Sequence, residues 1–180
     1  MTWSWRAENR DSAPATLADE RAAERPAGVK LAAMVYDVRV VDAREQPTAV
    51  VAEATSWDAL PRLWPQLLDK VWAAVRATDG ITPNRNVMLY KDDVPNVEIG
   101  VEIGESIPPL GQVVSSSLPA GRAAMTTHDG SYNDLGLAHQ AIIEWCARHG
   151  LERVGPRWEV YGHWRDGSAD QDVDVYYLLR

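Results

Sequence analysis

Residues 117–161 read SLPAGRAAMTTHDGSYNDLGLAHQAIIEWCARHGLERVGPRWEVY, and the order of elements in that run decides the fold. Its first part belongs to a strand region that extends from Gln112 to Thr127. At HDGSY the period changes. Ser131 and Asp134 have the spacing of a capping box, and Leu135, Ala138, Ile142, Trp145 and Cys146 recur at helical spacing, so they line one face of an amphipathic helix. After Gly150 the segments RWEVYGHW (157–164) and DVDVYYLL (172–179) return to the β-branched and aromatic composition of strands.

The same order occurs upstream. MVYDVRVVDARE (34–45) and PTAVVAEAT (47–55) read as strands with a polar break at Ala43–Gln46. In SWDALPRLWPQLLDKVWAAVRATDG (56–80), Leu60, Leu63, Trp64, Leu67, Leu68, Val71, Trp72 and Val75 predict a helix that closes at Gly80. Pro61 fits its first turn, and Pro65 is expected to delay or kink the start. NVMLY (86–90) and NVEIGVEI (96–103) follow as strands around the turn residues KDDVP. Superposing the halves pairs Trp57 with Tyr132, Gly80 with Gly150 and Tyr90 with Tyr161. The chain is therefore expected to be α+β: a duplicated β-α-β-β module in which each half contributes a helix to a shared antiparallel sheet, with a cleft at the pseudo-two-fold axis.

That superposition also pairs Met88 with Glu159, an apolar residue against an acid. A carboxylate in a short strand among Trp158, Val160 and Tyr161 is costly to bury unless it protonates or meets a cation. Strand alternation can equally turn it to water, or to an arginine such as Arg157 or Arg122. Tyr161 shares the face of Glu159, whereas Trp158 points away. Trp64, Trp72 and Trp145 lie on helix faces directed at a core and are assigned to packing.

Composition narrows the function. The 180 residues carry a formal net charge of -8, which argues against a nucleic-acid partner, since affinity for phosphate backbones needs clustered Lys and Arg. Phe is absent, while eight Trp and six Tyr give every large aromatic a polar handle suited to a half-wet site. No apolar run reaches a membrane span, the N-terminal residues lack a signal-peptide pattern, and Cys146 has no disulfide partner, so a cytoplasmic protein is expected. Residues 1–32, rich in Ala, Glu, Arg and Pro and with a capping box at Thr16–Asp19, read as a mobile or loosely docked arm before a domain at 33–180. The arm is too short for a helix-turn-helix.

With its LPAG, HDGSY, helix-borne EW, GP and EVY elements in that order, the run 117–161 resembles the second half of the GyrI-like small-molecule-binding domain, which is similar to the effector-binding modules of BmrR-type and some AraC-type regulators. The resemblance covers roughly residues 33–179. It implies a promiscuous pocket for lipophilic cations, in which the acid of the GP-x-x-E-x-Y segment, Glu159 here, opposes the ligand charge. It further implies aromatic lining at Trp57, Tyr132, Tyr90 and either Tyr176 or Tyr177, with Trp57 in place of the more usual Tyr. Tyr161 is the neighbouring candidate on the face of Glu159, and His128, just before the HDGSY turn, is a candidate to reach the cleft.

Other motifs carry less chemistry. Histidines 128, 139, 149 and 163 have no metal-ligand spacing and read as surface or capping residues, so neither a metal nor a cofactor is expected. The glycines of EIGVEIGE lie within a strand rather than between a strand and a helix, Ser115–Ser117 lack a nucleophile elbow, and Cys146 reads as a small core residue. DGSADQDVD (166–174) lacks the closing Glu of a calcium loop and reads as a hairpin loop. Three functions follow. The first is a stand-alone binder of lipophilic, cationic aromatic compounds. The second, implied by the resemblance, is a hydrolase of cyclopropane-bearing DNA-alkylating compounds, with Glu159 as general acid or base and Tyr161 or Tyr132 polarising the substrate. The third, likewise implied by the resemblance, is an inhibitor of DNA gyrase.

Overall fold

Alternate side chains divide between two sheet faces along each central strand, and this division organises the chain. The computed structural model describes residues 36–162 and 172–180. These belong to one unit, Val35–Arg180. The expected N-terminal arm with its Thr16–Asp19 box, the start of the first strand segment, His163 and most of the 166–174 loop lie outside the described residues.

The strands are β1 (Arg39–Ala43), β2 (Gln46–Ala54), β3 (Asn86–Tyr90), β4 (Asn96–Glu102), β5 (Val114–Leu118), β6 (Gly121–His128), β7 (Arg153–Tyr161) and β8 (Val173–Leu179), with α1 (Leu60–Arg76) after β2 and α2 (Leu135–Arg148) after β6. They form one eight-stranded sheet in the order β1-β6-β8-β7-β3-β4-β2-β5, and every pairing is antiparallel. Read outward from the β7–β3 seam, β7-β8-β6 on one side mirrors β3-β4-β2 on the other. This is the two-fold arrangement of the duplicated module, and the chain is α+β as the repeat requires.

Both helices pack on one face. Leu67, Val71 and Val75 of α1 and Ala138, Ile142 and Cys146 of α2 meet Ile99, Val101, Val173 and Val175 of the sheet in the main core. Burial raises the pKa of the Cys146 thiol, which suits its place as a core residue. The opposite face holds a smaller apolar cluster around Trp158, Val160, Val87 and Leu89. Trp64, Trp72 and Trp145 pack against the main core, and Trp72 also donates from Nε1 to Asn86 Oδ1 at 2.9 Å.

Local differences from the expected pattern have physical reasons. α1 starts at Leu60, and Pro65 lies inside it without delaying the start. The carbonyl that the missing Pro65 N–H leaves unbonded belongs to Pro61, in the first turn next to solvent, where the loss is small. The helix stops at Arg76, before Gly80. The Ser131–Asp134 box does not cap α2 directly: Ser131 Oγ accepts the N–H of Asn133 at 3.3 Å, and a single 3-10 turn over Tyr132–Asp134 intervenes before the helix begins at Leu135. Gly150 follows the last turn of α2 at φ 63°, the left-handed conformation that lets Leu151 N–H reach back to the Cys146 carbonyl at 3.0 Å. The strand region after Gln112 divides at Pro119–Ala120 into β5 and β6.

Candidate functional site

The β3–β7 seam pairs Met88 directly with Glu159. These are the two residues that the internal superposition makes equivalent, and equivalent residues meet face to face only where the two-fold axis crosses the seam. Glu159 therefore marks the axis. It is 2% exposed, on the helix-bearing face between the two halves.

A carboxylate this buried must be compensated. Oε1 accepts from the Tyr90 hydroxyl at 3.1 Å and lies 2.8 Å from His139 Nε2, while Oε2 accepts from the Tyr161 hydroxyl at 2.5 Å. His139 Nδ1 is in turn 3.0 Å from the Tyr177 hydroxyl. With the imidazole proton on Nε2, His139 donates to Glu159 and accepts from Tyr177, so the chain closes without an orphan. Two carboxylate oxygens offer about four acceptor positions. Three are used among the described residues, and the spare one is on Oε2.

The other buried acids are compensated differently. Glu98 pairs with Lys91 and accepts from Ser116 Oγ. Glu102 takes Arg85 through two nitrogens, Nε at 3.1 Å and a terminal nitrogen at 3.0 Å, and Asn84 as well. Both have a permanent cation. Glu159 has two phenols and an imidazole, and no Lys or Arg among the described residues.

Aromatic pairs flank Glu159 on either side. Trp57, ahead of α1, stacks on Tyr90 with ring centres 5.8 Å apart, and Tyr132, ahead of α2, meets Tyr161 edge-on at 5.9 Å. The two pairs are equivalent under the duplication, and their outer members, Trp57 and Tyr132, are exposed while Tyr90 and Tyr161 are buried. Trp64 adds a third ring at 4.8 Å from Tyr161.

On the Trp57 side the fold leaves a cleft of about 420 Å³, within the range of small-molecule sites. Trp57, Tyr90, Tyr177, His139 and Glu159 line it, with Leu135, Gly136 and Ile143 of α2 and the charged side chains Asp93, Arg153 and Arg157. Leu135, His139 and Ile143 recur every fourth residue, a stripe on α2 beside the core stripe Ala138, Ile142 and Cys146, so one helix serves core and cleft together. Arg157 lies opposite Tyr90 on β3 and Tyr177 on β8. Its guanidinium carbon sits 4.9 Å from the Tyr90 ring centre, 5.5 Å from Trp57 and 6.0 Å from Tyr177, and it pairs with Asp93 at 2.8 Å.

Burial, and then the nearby Glu159 carboxylate, push the Tyr90 and Tyr161 phenols well above the ordinary phenol range, and burial raises Tyr177 as well. These groups stay protonated donors at neutral pH. A raised folded-state value means that the native protein keeps protons which the unfolded chain releases near pH 10. The stability this contributes is complete below about pH 10 and lost as pH rises through the folded values. Urea midpoints should therefore hold between pH 8 and about 9.5 and fall above 10, and phenolate absorbance from these tyrosines should rise only with unfolding. Phenolate appearing near pH 10 in a still-folded protein at full amplitude for all six tyrosines would contradict the buried network.

Of the residues singled out from sequence, the structure brings together Glu159, Tyr161, Tyr132, Tyr90, Trp57 and Tyr177. Tyr176 alternates to the opposite face, where its ring stacks on Trp158 at 5.1 Å and 3°. His128 is fully buried away from the cleft lining: Nδ1 is 2.8 Å from the Tyr36 hydroxyl, and Nε2 is 2.9 Å from the Ser131 carbonyl. Its Nε2–H joins the Asp134 N–H, at 2.9 Å, as a second donor to that carbonyl and so fastens the turn that carries Tyr132. Sequence reasoning passed over His139 as a surface or capping residue and weighed Arg157 only as a partner of Glu159. The fourth-residue stripe on α2 was the available signal for His139.

An antiparallel sheet with two helices on one face, a buried carboxylate on the two-fold axis and an aromatic cleft beside it define a small-molecule-binding α+β domain. The profile of the GyrI-like small molecule binding domain matches residues 36–180, and the chain belongs to that family. Among solved structures, the chain is similar to the C-terminal domain of EcmrR (TM-score 0.69, 18% identity, 82% of this chain and 99% of that one). It is also similar to SAV2435 bound to tetraphenylphosphonium (TM-score 0.54, 9% identity, 82% of this chain and 94% of that one). A third similar structure is a hydrolase from Listeria innocua (TM-score 0.53, 9% identity, 79% of this chain and 91% of that one). At these identities the likeness is one of fold. A search of curated proteins finds no match to the chain. No helix among the described residues is long and apolar enough to cross a membrane.

Proposed function

We propose that this protein binds flat, lipophilic aromatic compounds that bring a positive charge to Glu159. One observation carries the reading: Glu98 and Glu102 are buried with a permanent cation, whereas Glu159, which lines the aromatic cleft, is buried among the described residues with neutral-capable donors alone. A cation over an aromatic face gains about 0.5–2 kcal/mol according to its desolvation. Several faces and one carboxylate accommodate many flat cations without close hydrogen-bond matching, so broad specificity is expected. The tetraphenylphosphonium held by SAV2435, a protein of similar fold, is a lipophilic aromatic cation, tetrahedral rather than flat, and supports the preference for positive charge in this reading. The test is a fluorescence titration of wild type and Glu159→Gln with a flat lipophilic cation and a neutral analogue of the same shape.

A second reading, hydrolysis of an electrophilic cyclopropane-bearing compound, is favoured by the Glu159–His139–Tyr177 chain, whose 2.8 and 3.0 Å links can pass a proton. Glu159 would take a proton from the water as the water oxygen bonds to a cyclopropane carbon, and the strained C–C bond would break with its electron pair passing to the conjugated carbonyl. The carbonyl oxygen would take the Tyr161 proton, which Glu159 then restores across their hydrogen bond. Mass spectrometry of the recovered compound decides it: turnover by wild type and none by Glu159→Gln is the result this reading requires.

A further inference from the structure

The aromatic faces that a flat cation would use are already covered by one. The Arg157 guanidinium is a planar, delocalised cation, the chemical type that the cleft is read as binding, and it lies within 6.0 Å of the ring centres of Trp57, Tyr90 and Tyr177. Its side chain is only 12% exposed. Position alone explains the contact with Tyr90 and Tyr177, which flank it in the sheet, but not the reach to Trp57 on the segment ahead of α1. The duplication does not demand a cation here either, since the superposition that pairs Met88 with Glu159 pairs Asn86 with Arg157.

The charges of the cleft point the same way. Asp93 and Glu159 are balanced by Arg153 and Arg157, so an incoming cation meets little net attraction while Arg157 stays in place. The tether holding Arg157 is weak, because Asp93 is 98% exposed and exposed ion pairs contribute little. A long side chain with an exposed anchor can leave the rings for solvent without disturbing the strand that carries it.

We propose that Arg157 is the specificity-determining residue of the cleft: a resident cation that holds the Trp57–Tyr90–Tyr177 box against ligand and must be displaced by the flat cations that bind there. The proposal rests on the reading of the cleft as a cation site. It makes Arg157 a competitor of the ligand rather than a ligand-holding group, and it sets a threshold. Only cations with a π surface larger than a guanidinium gain enough from the three rings to displace it, which excludes small ammonium compounds.

The experiment titrates wild type, Arg157→Ala and Glu159→Gln calorimetrically with a monocationic rhodamine ester and with a neutral xanthene dye of matching ring size. Circular dichroism checks that each variant is folded. Arg157→Ala should bind the cation about fivefold more tightly and the neutral dye less than twofold more tightly. Equal gains for both dyes would make Arg157 a mere space-filler, and unchanged or weaker cation binding would make it a ligand contact; either result overturns the proposal. A measurement on wild type is independent of the variant's folding: the Arg157 Nε–H proton, shifted upfield by the rings, should move toward its solvent position on addition of the cation. A bound cation that leaves this resonance in place also overturns the proposal. If Glu159→Gln binds the cation as wild type does, the role given to Glu159 fails, while the Arg157 outcomes still decide the resident-cation proposal on their own.

Discussion

Gly100→Ala is expected to destabilise the protein by about 3 kcal/mol or more. Gly100 lies in β4 between Val50 of β2 and Val87 of β3. A Cβ at this position would stand 1.9 Å from the Ala49 carbonyl oxygen and 2.8 Å from the Val50 Cα. Both are backbone atoms of the adjoining strand, so no rotamer change relieves the contact. Glycine inside a strand often marks such a close approach. Relief requires β2 and β4 to part, which lengthens ladder hydrogen bonds and opens the core around Ala49, Ile99 and Val101, all fully buried. For a domain of this size the melting temperature should drop by about 10 °C, and urea unfolding should give a lower midpoint at nearly unchanged slope. A loss under about 1 kcal/mol would mean that β2 and β4 do not approach as closely as described. Because Tyr90 lies on β3, next to β4, a folded variant should also bind ligand less tightly.

The second large effect is on binding. Glu159→Gln should weaken a flat lipophilic cation at least about tenfold, close to 1.4 kcal/mol, and change a neutral analogue by less than about twofold. Glutamine keeps the shape and still accepts from one phenol, but it removes the negative charge and turns an acceptor into a donor facing Tyr161 or His139. The cation loses its counter-charge in a site where screening by water is poor. The neutral ligand loses only the small adjustment of the hydrogen bonds. Equal losses for both ligands would show that Glu159 shapes the cleft without pairing with charge. Stability has to be followed in parallel, since a donor set against a donor in the buried network costs about 1–3 kcal/mol of its own.

Much of the fold was legible in the chain. Helical periodicity at Leu60–Val75 and Leu135–Cys146, strand composition on either side, and the recurrence of Trp57 and Tyr90 as Tyr132 and Tyr161 are local or repeated patterns that survive in the structure. The glycines do not correspond as closely: Gly150 directly follows the C-cap of α2, whereas Gly80 lies four residues beyond the end of α1 at Arg76. Boundaries were less legible. The 3-10 turn at Tyr132–Asp134 and the course of α1 through Pro65 depend on where the chain must enter the sheet, and tertiary packing outweighs a local capping preference. In the site, Glu159, Tyr90 and Tyr161 could be named from strand alternation, the repeat and the family resemblance, because those specify which residues share a face.

What the sequence by itself determined is the duplicated α+β plan, the face of each strand and the single acid set against an apolar equivalent, since periodicities of 2 and 3.6 residues and an internal repeat are properties of the chain alone. Only the tertiary structure decided the rest. The β7–β3 register placed Glu159 on the axis, α2 brought His139 to it, and β3 and β8 set Tyr90 and Tyr177 on either side of Arg157. It also sent Tyr176 and His128 away from the cleft. These are contacts between residues far apart in the chain, fixed by which strands become neighbours and by the buried polar groups finding partners; apart from the α2 stripe that carries His139, no local pattern encodes them.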